Sequence, residues 1–115
     1  MLFVCYPKCS TCMKAKKWLD EQGMEYELRD IKADNPTAEE LKLWWEKSEL
    51  PLKRFFNTSG NLYKEMKLKD RLPDMSEEEQ IALLATDGML VKRPILVADN
   101  DVLVGFREKE WEEKL

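Results

Sequence analysis

Apolar residues form short unbroken runs near both ends of the chain and stripes at steps of three and four between them. Leu2 to Cys5 is continuous apolar sequence, the pattern of a strand covered on both faces, and Tyr6-Pro7-Lys8 ends it. From Cys12 onward, Ala15, Trp18, Leu19 and Gln22 recur at helical spacing, with Lys14, Lys16, Lys17 and Asp20 on the other side. With Gly23 as C-cap, this predicts a helix from about Ser10 to Gln22. Tyr26, Leu28 and Ile31 alternate with Glu25, Glu27 and Arg29, as in a second and less central strand. The opening is therefore strand, cysteine-bearing turn, helix, strand.

The middle of the chain reads as a helical block over about 36–88. Thr37 with Glu40 forms a capping box, and Leu41, Trp44, Trp45 and Leu52 supply an apolar face. Pro51 separates a further piece, Lys53 to Phe56, and Asn57 to Asn61 is a polar turn. Ser76 with Glu79 forms a second capping box, the run Glu77-Glu78-Glu79 complements the helix dipole, and Gly88 closes that helix. In each of the pairs Trp44-Trp45 and Phe55-Phe56, one member is expected in the core and the other under a neighbouring loop. Beyond Arg93-Pro94, Ile95-Leu96-Val97 and Val102-Leu103-Val104 form a hairpin joined at Asp99-Asn100-Asp101. Gly105 ends it, and Glu108 to Leu115 is a helix anchored by Trp111 and Leu115. The pattern describes one α/β domain over 1–115.

Composition narrows the function. With 43% apolar and 37% charged residues, the chain of 115 is expected to be globular. No apolar stretch is long enough to span a membrane, and no basic, cleavable leader precedes the first strand, so a cytoplasmic monomer is expected. A net charge of -4 disfavours direct nucleic-acid binding. Histidine is absent, which removes the commonest metal ligand and the usual neutral-pH base. What remains is three cysteines, at 5, 9 and 12, too clustered to staple a secreted fold.

Cys9-Ser10-Thr11-Cys12 follows a strand and opens a helix. A helix N-terminus favours a thiolate, because free amides and the positive end of the dipole face it. The expectation is that the N–H groups of Ser10, Thr11 and Cys12 point at the Cys9 sulfur, with Lys8 nearby. Cys12, one turn on and at the head of the core-facing stripe, should be buried and act as the resolving thiol. The same spacing also suits zinc, but with Cys5 as third ligand a closed site would need an acidic side chain. The placement favours a dithiol, with no metal or resident cofactor. Cys5 itself reads as a small apolar residue at a strand end, a minor alternative being a second disulfide partner.

The order of elements resembles the thioredoxin-like superfamily, which implies a cis-proline before the third strand, facing the cysteine turn. Pro94 then takes that place and Arg93 lies beside Cys9, able to hold an oxyanion or a thiolate. The alternative is a surface arginine before a trans proline. More closely, Tyr6-Pro7-Lys8-Cys9-Ser10-Thr11-Cys12-Met13-Lys14-Ala15 and Lys92-Arg93-Pro94-Ile95-Leu96-Val97 resemble the ArsC arsenate reductase and Spx/MgsR family over nearly the whole chain. The resemblance implies a four-stranded mixed sheet with flanking helices and a helical insertion between the βαβ unit and the hairpin. It also implies Cys9 as nucleophile, Ser10, Thr11, Arg93 and Pro94 around a bound anion, and an external reductant such as glutathione/glutaredoxin or thioredoxin. Two further arginines of the arsenate reductases are replaced here by Asn57 and Gly105, with Arg54 and Arg107 close by in sequence. The glutathione-dependent reductases lack the second cysteine that this chain has in Cys12. The implied activity is thiol-disulfide exchange. The alternative is a redox-sensing, Spx-like regulator that binds RNA polymerase through its α subunit, and true arsenate reduction is less expected.

Overall fold

The computed structural model describes residues 1–115. Strand β1 (Leu2–Cys5) leads through the cysteine turn into helix α1 (Ser10–Glu21), and β2 (Glu27–Asp30) follows. The insertion carries α2 (Ala38–Ser48), the short helices α3 (Asn61–Glu65) and α4 (Leu68–Arg71), and α5 (Glu77–Leu84). The chain ends with β3 (Ile95–Val97), β4 (Val102–Val104) and α6 (Glu108–Lys114). The four strands form one mixed sheet in the order β2-β1-β3-β4, with β1 parallel to β2 and antiparallel to β3. This is the thioredoxin-like topology that the sequence pattern predicts. No helix is long and apolar enough to cross a membrane.

Side-chain alternation along the strands divides the core. Phe3, Cys5, Leu96 and Leu103 face α1 and α6, where they meet Cys12, Ala15, Trp18, Leu19 and Trp111. Val4, Ile95, Val102 and Val104 face the insertion and join Leu41, Trp44, Phe55, Phe56 and Leu84. The first face is closed by aromatic contacts: Trp111 packs edge-on against Phe3, Trp18 and Phe106, and its indole N–H donates to Gly105 O at 3.2 Å.

Several expectations shift at element ends. Helix α1 stops at Glu21, leaving Gln22 exposed, and Gly23 takes the left-handed conformation at φ +67°. Leu28 is 53% exposed because β2 is an edge strand, while Ile31, just past it, is fully buried against the insertion. Leu115 is 38% exposed, so Trp111 alone anchors α6. Phe55 and Phe56 are both buried. A 3-10 turn ends at Phe55 and the chain runs extended at Phe56, which bridges to Val91, so adjacent side chains are not confined to helical spacing. Trp44 and Trp45 do divide as expected, Trp45 half-buried with its N–H on Leu50 O at 2.8 Å.

Both capping boxes form as predicted, at Thr37/Glu40 and Ser76/Glu79. Helices α3 and α4 lie where the sequence suggested a polar turn and little more, and they bury Tyr63 and Leu68. Helix α5 ends at Leu84, and Gly88 instead opens a 3-10 turn over Gly88–Leu90. A Cβ at Gly88 would sit 1.7 Å from the Ile31 carbonyl oxygen, so close approach of two backbones, rather than helix termination, requires glycine there.

Candidate functional site

Cys9 is the N-cap of α1, extended at φ -94° and ψ 122°, and half-buried. Its carbonyl accepts from Met13 N at 3.1 Å and its amide donates to Tyr6 O at 3.0 Å, which closes the turn. Ser10 and Thr11 are exposed on the first turn. Cys12 is fully buried, as its place in the apolar stripe predicts. All three cysteines are free thiols, and they form no cluster with other potential ligands suited to a metal ion.

The Cys9 sulfur accepts no capping hydrogen bond, so the expected fan of helix amides around it is not formed. Its side chain packs instead against the buried cluster that holds Cys12. The backbone amide that does reach a sulfur is that of Tyr6, which donates to Cys12 Sγ at 3.3 Å. The Cys12 thiol is pushed far above the usual thiol range, first by the neighbouring Cys5 thiol and then by burial; the Tyr6 amide and Cys9 pull the other way without cancelling the rise. The same contact with Cys12 lowers Cys5, against burial and the nearby Asp30 carboxylate.

The Arg93–Pro94 bond is cis, Pro94 is buried, and Pro94 O accepts from Gly105 N at 2.8 Å. Arg93 places its guanidinium 5.4 Å from the centroid of the Tyr6 ring and donates to Met89 O at 3.4 Å. It has no carboxylate partner. Tyr6 therefore joins the two halves of the site: its amide holds Cys12, its carbonyl holds the Cys9 amide, and its ring carries Arg93.

Beyond Arg93 lies an open groove of about 340 Å³ lined by Asn57, Ser59, Asn61, Leu62 and Met89. The insertion supplies this wall because Asn57 N bonds Leu90 O and Lys92 N bonds Phe55 O, each at 2.8 Å. Neither Arg54 nor Arg107 lines the groove; both are exposed, and Arg107 lies with Ser48, Leu50 and Val102 near α6. Lys16 and Lys17 pair with Asp20 and Glu21 along the solvated side of α1. Asn57, which the resemblance set in place of an arginine, lines the groove, and Tyr6 gains a role that the sequence did not assign it. Only the position of Tyr6, three residues before Cys9 and ahead of a proline, hinted at one.

The ArsC family model matches residues 5–114. The protein YusI of Bacillus subtilis (strain 168) is 54% identical over 113 residues, covering 98% of this chain and 96% of its own. The regulatory protein MgsR of the same organism is 29% identical over 110 residues, covering 96% and 86%. An ArsC family related protein from Bacteroides fragilis superposes with a TM-score of 0.95 at 63% identity, covering 97% and 94%. Topology, cysteine turn and extent of match together show that this chain belongs to the ArsC family.

Proposed function

We propose that this chain is a cytoplasmic thiol-disulfide redox protein in which Cys9 is the nucleophile and Cys12 the resolving thiol. The observation that carries the reading is the pairing of a half-buried cysteine at the head of α1 with a fully buried one a helical turn below, the first packed against the cluster that holds the second. In the forward step the Cys9 thiolate attacks a substrate disulfide, forming a mixed disulfide and expelling one substrate thiolate. Cys12 gives up its proton and attacks the Cys9 sulfur, which expels the second substrate thiolate and leaves Cys9–Cys12 oxidised. An external thiol such as glutathione/glutaredoxin or thioredoxin then restores the dithiol. Ser10, Thr11, Arg93 and Pro94 surround the anionic part of the substrate, with Arg93 free of any competing carboxylate.

Cys9→Ser is expected to reduce disulfide-exchange turnover to background with little change in thermal midpoint, and Cys12→Ser to accumulate mixed disulfides with the substrate. Full turnover in Cys9→Ser would overturn the assignment. Arsenate turnover is expected to be slight, because Arg93 has no second arginine in its groove.

A second reading is a redox-sensing regulator of the Spx/MgsR kind, favoured by the likeness to MgsR over 96% of this chain. Its test is retention of this protein on the isolated carboxy-terminal domain of the RNA polymerase α chain. Retention in one redox state only supports regulation, and no retention in either state removes it.

A further inference from the structure

Cys5 has no part in the two-thiol cycle, yet it is not an isolated core cysteine. Alternation along β1 turns Cys5 to the same face as Phe3, toward α1, and there it shares one buried cluster with Cys12. The amide hydrogen-bonded to Cys12 Sγ at 3.3 Å belongs to Tyr6, the residue directly after Cys5. Adding the two covalent bonds from that nitrogen back to the Cys5 Cα bounds the Cys12 sulfur within roughly 6 Å of it. Cys9, one helical turn before Cys12, packs against the same cluster from its half-buried side. Cys12 is thus the middle member of a three-sulfur row that runs from the surface at Cys9 to the core at Cys5, which is 1% exposed.

We propose that Cys5 is a third redox thiol, which takes over the disulfide made at the cysteine turn and stores it as a buried Cys5–Cys12 bridge while releasing Cys9. The inference rests on the thiol-disulfide reading above. Cys5, as thiolate, attacks Cys12 Sγ of the Cys9–Cys12 disulfide. The Cys9–Cys12 bond breaks, the Cys5–Cys12 bond forms, and Cys9 leaves as a thiolate that takes up the proton Cys5 gave up. The exchange conserves electrons, so no further oxidant is needed. External thiols cannot reach Cys5, which makes Cys12 its only partner. The oxidised chain then keeps its accessible nucleophile free, and attack of Cys9 back on Cys12 returns the disulfide to the surface for reduction.

Lys8 separates Cys5 from the other two cysteines, so trypsin places them on different peptides, 1–8 and 9–14. The full-length protein is oxidised with diamide, alkylated under denaturing conditions and mapped. The expected product is a cross-link between peptides 1–8 and 9–14 in which Cys9 carries the alkyl group, alongside the internal Cys9–Cys12 species. Oxidised native wild type should also retain rapid maleimide labelling, approaching one thiol per chain as the relay goes to completion, whereas oxidised Cys5→Ala should retain none. Cys5→Val serves the same purpose should the smaller side chain destabilise the fold, and the wild-type map stands by itself. Cys9–Cys12 as the sole disulfide, with Cys5 alkylated only after denaturation, overturns the relay and leaves the two-thiol function intact. Absence of any disulfide overturns both.

Discussion

The two faces of the sheet are built on different plans. The face under α1 and α6 is small and aromatic, and it carries the sulfur row at one end. The face under the insertion is larger, with seventeen buried residues in its cluster, and it has no nucleophile. Polar devices hold its parts together. Arg29 on β2 grips Glu40 on α2 with bonds of 2.6 and 2.9 Å, Thr37 and Ser76 cap α2 and α5, and Gly88 lets two backbones touch. The difference teaches that the residues of the proposed thiol chemistry come from the βαβ core and the Arg93–Pro94 corner. The insertion contributes a wall, through Asn57 to Leu62, and holds the segment that presents Arg93.

That division breaks most severely at Gly88. Gly88→Ala drives a Cβ into the Ile31 carbonyl, which a backbone cannot yield cheaply, and should cost about 5 kcal/mol by urea unfolding. On the opposite face, Trp111→Ala should cost about 4 kcal/mol, since the ring is fully buried among Phe3, Trp18 and Phe106. Of the two variants, only Trp111→Ala should also change the alkylation rate of Cys9 in the folded protein, because it loosens the packing of α1. Equal effects on Cys9 from both would erase the distinction between the faces.

The Arg29–Glu40 pair sharpens the comparison through pH. The Arg29 guanidinium, aided by the Thr37 amide, holds the Glu40 carboxyl down at about 2 against an ordinary 4.5. A carboxyl depressed in the folded state stabilises fully above its unfolded pKa, and that contribution disappears as pH falls from near 4.5 through about 2. Glu40 is partly exposed, so screening reduces the contribution to about 2 kcal/mol. Wild type should therefore lose that much more stability than Glu40→Gln between pH 5 and pH 2, measured by unfolding at each pH. The smallest effects are expected at the helix caps: Thr37→Ala and Ser76→Ala should each cost about 1 kcal/mol with no change in disulfide-exchange rate.

The thiol face was the more legible of the two. Strand β1, helix α1, the hairpin and both capping boxes follow from local periodicity and capping chemistry, and these act within a few residues. Leu28 misled because alternation marks two faces but not how far a helix covers one. Gly88 misled because a glycine after an apolar stripe has the pattern of a C-cap, and its contact with Ile31 is remote in sequence. Helices α3 and α4 went unread because each is about a turn long and offers almost no periodicity.

By itself the sequence determined the order of elements, the placement of Cys9 at a helix head and of Cys12 beneath it, and a proline before the third strand, since all are set by neighbours along the chain. Tertiary structure alone decided that Tyr6 joins Cys12 to Arg93, that Asn57 walls the groove, and that Cys5 completes a row of three sulfurs. Those relations depend on which face each strand turns toward its helix and on how the insertion docks. Both are outcomes of burying distant apolar residues together, and no short window of sequence contains them.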